Sequence, residues 1–98
     1  VTHKVSFRPE AEAEALETRD WYEARQAGLG AAFRQALDDA IERIADNPLQ
    51  FQRARGETRR AILRRFPYAV YFRVLGNDIL VLAVHGRQHQ RRWQSRAT

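Results

Sequence analysis

The sequence contains no cysteine, which excludes disulfides and thiolate zinc sites as braces for the fold and leaves no mark of a redox compartment. It has no apolar run approaching the roughly 20 residues that a bilayer-crossing helix needs. Its first residues, VTHKVSF, lack the continuous apolar segment of a secretory signal. The expected setting is the cytoplasm, with no membrane partner. Lysine is almost missing, Lys4 being the sole example, so the positive charge falls nearly all on arginine. There is no glycine-rich phosphate loop, no Ser/His/Asp arrangement, no internal repeat and no low-complexity segment, so no cofactor is expected. What remains is a chain of 98 residues, 44% hydrophobic and 30% charged. That suits one globular domain over residues 1–98, with a single modest core burying roughly 60 to 65% of the unfolded surface.

The net charge of +5 is unevenly spread. Residues 1–49 hold six basic and ten acidic side chains, a balance of −4, whereas residues 50–98 hold eleven and two, a balance of +9. Such asymmetry points to a polyanionic partner, either nucleic acid or an acidic protein segment.

The pattern along the chain gives the elements. HKVSF reads as a short first strand, ended by Arg8-Pro9. Proline at the first helical position, followed by Glu10, Glu12 and Glu14, starts a helix from Pro9 to about Gln26, the carboxylates favouring the positive end of its dipole. These glutamates read as a solvated first turn, and Trp21 and Tyr22 as packing for the helical hairpin. Gly28 and Gly30 break the chain, and Leu29, Ala32, Phe33, Ala36, Leu37, Ala40, Ile41 and Ile44 recur at helical spacing up to Asp46-Asn47-Pro48. Strands are then expected over 59–66, 68–75 and 79–85, punctuated by Pro67 and Gly76-Asn77-Asp78. The fold class is therefore α+β, with the order β-α-α-β-β-β. A helical hairpin packs on one face of a small, mainly antiparallel sheet.

Taken in order, several pieces carry a resemblance: Phe7 to Ala11, Trp21-Tyr22, Asn47-Pro48, Arg59 with Leu63 and Phe66-Pro67-Tyr68, Val84-His85-Gly86-Arg87, and Trp93 with Arg96. Together they resemble the RelE/ParE toxin superfamily over nearly the whole chain, and the Phe-Pro-Tyr corner with the V-H-x-R ending leans to its ParE-like branch. The resemblance implies the toxin of a type II toxin–antitoxin module of the plasmid-stabilisation kind, cytoplasmic and neutralised by a cognate antitoxin. It also implies one of two targets: DNA gyrase for ParE-like members, or mRNA on the ribosome for RelE-like ones, which are endoribonucleases.

The two mechanisms ask for different residues. Cleavage through a 2′-hydroxyl needs acid–base groups and cations around the phosphate; His85 and His89 could titrate near neutrality, and Arg65, Arg73 and Arg87 could bind phosphate. Ribosome-dependent nucleases of the superfamily usually carry lysines or a carboxylate in the sheet and a tyrosine or other acid–base group near the C-terminus, where this chain offers Trp93. His85 also reads simply as a packed strand end, and Trp93 as a hydrophobic lid. His85 and His89 with no third ligand do not make a metal site. Non-catalytic nucleic-acid binding is a third reading, opposed by the mixed charge on the polar face of the second helix. For target or antitoxin binding the candidates are Arg60, Arg64, Arg87, Arg91, Arg92 and Trp93, with Leu29, Phe33 and Leu37 as groove residues wherever the helical stripe stays uncovered. An acidic amphipathic antitoxin tail suits such a basic sheet.

The arginine doublets Arg59-Arg60 and Arg64-Arg65 cannot form one patch if 59–66 is a strand, because neighbours point to opposite faces. If Ala61 and Leu63 face the helices, Arg60 and Arg64 share the open face with Ile62. If Ile62 and Phe66 face inward, the pairs exchange roles.

Overall fold

The computed structural model describes residues 3–86. The elements run β1 (Lys4–Phe7), α1 (Pro9–Arg25), α2 (Leu29–Asp46), a 3-10 turn (Pro48–Gln50), β2 (Arg53–Arg55), β3 (Thr58–Ile62), β4 (Tyr68–Leu75) and β5 (Asp78–Gly86). The five strands form one sheet in the order β1-β5-β4-β3-β2, antiparallel except that β1 lies parallel to β5. The helices pack on one face, as the α+β reading requires.

Two details differ from the sequence expectation. Strand β2 was not foreseen: it is a three-residue edge strand joined to β3 through Gly56, whose φ of 54° suits glycine at the turn. Strand β3 ends at Ile62 rather than at residue 66. The Leu63 N–H still donates to the Tyr68 carbonyl at 2.9 Å, but Arg65 takes a left-handed φ of 74°, and the Tyr68 N–H donates back to Phe66 O at 2.8 Å across Pro67. The corner therefore begins inside the second arginine doublet.

Helix α1 begins with Pro9 at its first position and places Glu10 and Glu12 in its first turn and Arg25 in its last. Helix α2 buries Phe33, Ala36, Leu37, Ala40 and Ile44 of the stripe its spacing predicts, and Ala45 besides. Its start is held from α1: the Glu23 carboxylate accepts the N–H groups of Gly28 (3.1 Å) and Gly30 (3.0 Å), two of the donors a helix N-terminus leaves without an intrahelical partner.

The core lies between helices and sheet. It takes Ala11 from α1, Phe33, Ala36, Leu37, Ala40 and Ile44 from α2, and Ala61, Leu63, Phe66, Val70, Phe72, Ile79, Val81 and Val84 from the sheet side. Tyr22 joins Phe33, Phe66 and Tyr68 in an aromatic cluster with ring centroids 5.0 to 6.1 Å apart, within the range where edge and offset contacts are favourable. Trp21 meets this cluster edge-on at Tyr22, with ring centroids 5.0 Å apart, but from its outer side. It is 49% exposed, and the Arg25 guanidinium lies over its ring at 3.9 Å from the centroid.

Strand β5 carries a bulge. Tyr71 pairs with Ala83 but Phe72 pairs with Val81, so Leu82 is an extra residue against β4. The bulge shifts the two-residue alternation by one. Ile79, Val81 and Val84 all face the helices, while Ala83 and His85 face the other side.

Candidate partner-binding cleft

The face of the sheet away from the helices is built from alternating residues of β3, β4 and β5. Register places Arg60 opposite Tyr71, and Tyr71 opposite Ala83; the next row is Ile62, Ala69 and His85. Ala69, Tyr71 and Ala83 form a second, smaller buried cluster with Ala54 beside it. Two alanines in the middle of this face leave its centre low. The β3–β4 corner closes one end with Arg65, Phe66, Pro67 and Tyr68. The result is a cleft of about 650 Å3 lined by these corner residues with Arg60, Ile62, Ala69, Tyr71 and His85.

The structure chooses between the two orientations of the arginine doublets and then modifies the choice. Ala61 and Leu63 are buried against the helices, and Ile62 is 50% exposed on the open face. Arg59 is structural, donating from Nη1 to Phe51 O at 2.6 Å. Because the strand stops at Ile62, however, Arg60 is joined at the cleft by Arg65 and not by Arg64. Arg64 lies near Arg43 on α2, whose pKa is lowered by burial first and by the Arg64 charge second, with Asp39 opposing. Both orientations carried strand alternation on to residue 66, whereas β3 ends at Ile62 and a corner with a left-handed Arg65 follows.

The remaining candidates separate clearly. Arg73 is half-buried and donates from Nε to the Thr58 hydroxyl at 3.2 Å. Phe33 is fully buried in the core, so the condition for its being a groove residue, an uncovered stripe, is not met there. Leu29 is half-buried. Leu37 is 3% exposed and lines a smaller groove between the helices, with Ala15, Leu16 and Ile41. Arg87, His89, Arg91, Arg92 and Trp93 lie outside the described residues.

His85 is 2% exposed, and its Nε2 lies 3.1 Å from Glu14 Oε2. The other oxygen of Glu14 accepts the Val84 N–H at 3.1 Å. Strand β1 pairs with β5 only as far as Val81, where Arg8 N–H donates to Val81 O. Beyond that point Glu14 of α1 takes the place of a strand neighbour. Glu14 is thus no part of a solvated turn: it is 8% exposed. The signal was in the sequence, since Ala11, Glu14, Thr18 and Tyr22 recur at spacings of three and four and share one face of α1.

Chemically, the cleft offers two guanidinium groups for carboxylate or phosphate, an apolar floor, and an imidazole already engaged by a carboxylate. Among the described residues no group of three His, Asp or Glu side chains could hold a metal ion, and no helix is long and apolar enough to cross a membrane.

Comparison with known proteins identifies the family of this α+β chain. Residues 5–91 match the family described as ParE toxin of type II toxin–antitoxin system, parDE. The chain belongs to this ParE toxin family, and so to the toxins of type II systems. No curated protein sequence matches it significantly. Among solved structures, the chromosomal ParDE toxin–antitoxin system from P. aeruginosa is similar with a TM-score of 0.76 at 19% identity, covering 87% of this chain and 96% of that one. The toxin–antitoxin complex RelBE2 from Mycobacterium tuberculosis gives a TM-score of 0.63 at 20% identity, covering 89% of this chain and all of that one. At these identities the two likenesses speak for the fold.

Proposed function

We propose that the chain is a ParE-like toxin that acts on DNA gyrase, blocks replication in the cytoplasm, and is neutralised by a cognate acidic antitoxin. Membership of the ParE family carries the gyrase reading, and one observation in the cleft favours it over RNA cleavage. His85, the histidine placed in the cleft among the described residues, is buried with Nε2 turned to Glu14, and Arg73 is engaged with Thr58. A general acid or base must reach the proton it transfers, and neither group stands out toward a scissile phosphate. Basic side chains on the open face and the apolar surface beside them suit an acidic partner segment. The test is expression from a tight promoter with two readouts. Gyrase poisoning gives growth arrest with cleaved DNA, and supercoiling by purified gyrase is inhibited while messages stay intact. Ribosome-dependent mRNA cuts that disappear in His85→Ala would establish the endoribonuclease instead.

A further inference from the structure

Outside the cleft, most arginines are already engaged within the chain. Arg8, Arg19, Arg34 and Arg53 sit in ion pairs with carboxylates, and Arg59 and Arg73 donate hydrogen bonds to Phe51 O and the Thr58 hydroxyl. Arg43 and Arg64 differ. They are neighbouring cations, and neither is in an ion pair with a described carboxylate. Arg43, in the last turn of α2, is held in place: its Nη2 donates at 3.3 Å to Ile62 O, where β3 ends, and its guanidinium lies 5.9 Å from the centre of the Phe51 ring. Its Nε is buried without a hydrogen-bond partner. Arg64 follows two residues after the carbonyl that anchors Arg43. Burial first and the Arg64 charge second lower the Arg43 pKa, ahead of the opposing effect of Asp39. The Asp39 carboxylate is itself engaged, accepting from Gln35 Nε2 at 3.0 Å. Two like charges held close with no counterion between them cost free energy that a bound anion would offset.

We propose that Arg43 and Arg64 form a phosphate-binding site at the junction of α2 with the end of β3, separate from the cleft. The donors left to Arg43 decide between phosphate and carboxylate. A carboxylate is matched by a complete guanidinium fork, two parallel N–H groups meeting two oxygens in one plane. Arg43 has no complete fork to offer, because Nε is buried and Nη2 donates to Ile62 O; Nη1 is the donor that remains. A phosphate group carries its oxygens in a tetrahedron, so one oxygen can accept from Arg43 Nη1 while another meets the Arg64 guanidinium. The same chemistry is presented by free phosphate and by the phosphodiester backbone of a nucleic acid. Neither Arg43 nor Arg64 lines the cleft, so the site can be occupied whatever the toxin acts on.

The test is a titration of the isotopically labelled chain with inorganic phosphate, followed through backbone amides and arginine Nε–Hε resonances. The expected result is saturable shifts centred on Arg43, Ile62 and Arg64. Arg64→Gln should weaken phosphate binding by about tenfold, the scale of a lost charge-assisted hydrogen bond. The same variant should unfold at no lower temperature than the parent when phosphate is absent, because it relieves the repulsion of Arg43, and should lose the rise in melting temperature that phosphate gives the parent. Arg55→Gln, which removes an exposed arginine elsewhere, should leave the shifts as they are. A short DNA duplex, titrated at matched ionic strength, separates the two sources: shifts at the same residues identify a nucleic-acid backbone, and phosphate shifts without duplex shifts identify free phosphate. Either outcome upholds the site. Four results would overturn it: no saturable shift at Arg43 and Arg64, acetate binding there as tightly as phosphate, shifts confined to the cleft around Arg60 and Arg65, or an equal loss in Arg55→Gln and Arg64→Gln, which would show attraction by net charge alone.

Discussion

Replacing Glu14 by alanine tests how α1 is tied to the sheet. The carboxylate accepts the Val84 N–H and contacts His85 in a site where both side chains are nearly excluded from solvent. Removing it deprives a buried N–H of its acceptor, about 1 to 3 kcal/mol, and breaks a buried carboxylate–imidazole contact, for which truncation of one partner costs about 3 to 5 kcal/mol when both are charged. These contributions overlap, and about 3 kcal/mol is the expected loss. In a domain of this length that is a fall in melting temperature of roughly 12 to 24 °C. Glu14→Gln keeps an acceptor of the same shape for Val84 and should lose about 1 kcal/mol. Urea titrations of both variants supply the free energies, and hydrogen exchange at the Val84 amide supplies the locality, being faster in Glu14→Ala. The reasoning is refuted if Glu14→Ala lies within about 0.5 kcal/mol of the parent, the range of an ordinary surface substitution, or if the glutamine variant is as damaged as the alanine one.

Arg65→Gly should stabilise the chain by about 1 kcal/mol in the same titration, because only glycine adopts a left-handed φ without steric cost; a loss of stability would show that the Arg65 side chain supports the corner. Gly30→Ala should destabilise by about 1 to 3 kcal/mol despite the better helix propensity of alanine, since its Cβ would sit 2.9 Å from Arg19 O and from the Glu23 side chain. A gain of about 1 kcal/mol would mean that the two helices separate freely. Burial first, and the neighbouring Tyr68 second, raise the pKa of Tyr22. The folded state therefore holds this proton more tightly than the unfolded one, so the associated stability is complete below about pH 10 and is lost as pH rises through the folded value. Denaturation titrations above pH 10 should show this decline, reduced in Tyr22→Phe.

Much of the fold was legible because its signals are local. The spacing from Leu29 to Ile44 set α2, Pro9 set the start of α1, and Gly76-Asn77 set the β4–β5 turn, each through backbone chemistry of neighbouring residues. What was hidden depends on tertiary contact. β2 is three residues of alternating arginine and alanine that become a strand only by pairing with β3, and β3 ends at Ile62, ahead of a corner in which Arg65 takes a left-handed φ. Alternation alone left two orientations of the arginine doublets open, and neither puts Arg60 with Arg65 at the cleft, since alternation was carried past the point where the strand stops. Trp21 lies further out than a packing role implies, and Phe33 lies deeper than a groove role requires. Aromatic character does not say which side of α1 meets the sheet, and a stripe at helical spacing does not say that part of it stays open. Glu14 was passed over because a glutamate in a first turn is normally solvated.

The bulge at Leu82 bears on how sequences of this kind should be aligned. The two ends of β5 are out of step by one residue: the first half is registered against β1, and the second half is held by Glu14. A homologue without the bulge would have a strand one residue shorter, yet the same residues would face inward and outward on either side of it. A single gap at this position would therefore be a physical feature of the strand, and an ungapped comparison would exchange its two faces, setting Ala83 and His85 against core positions.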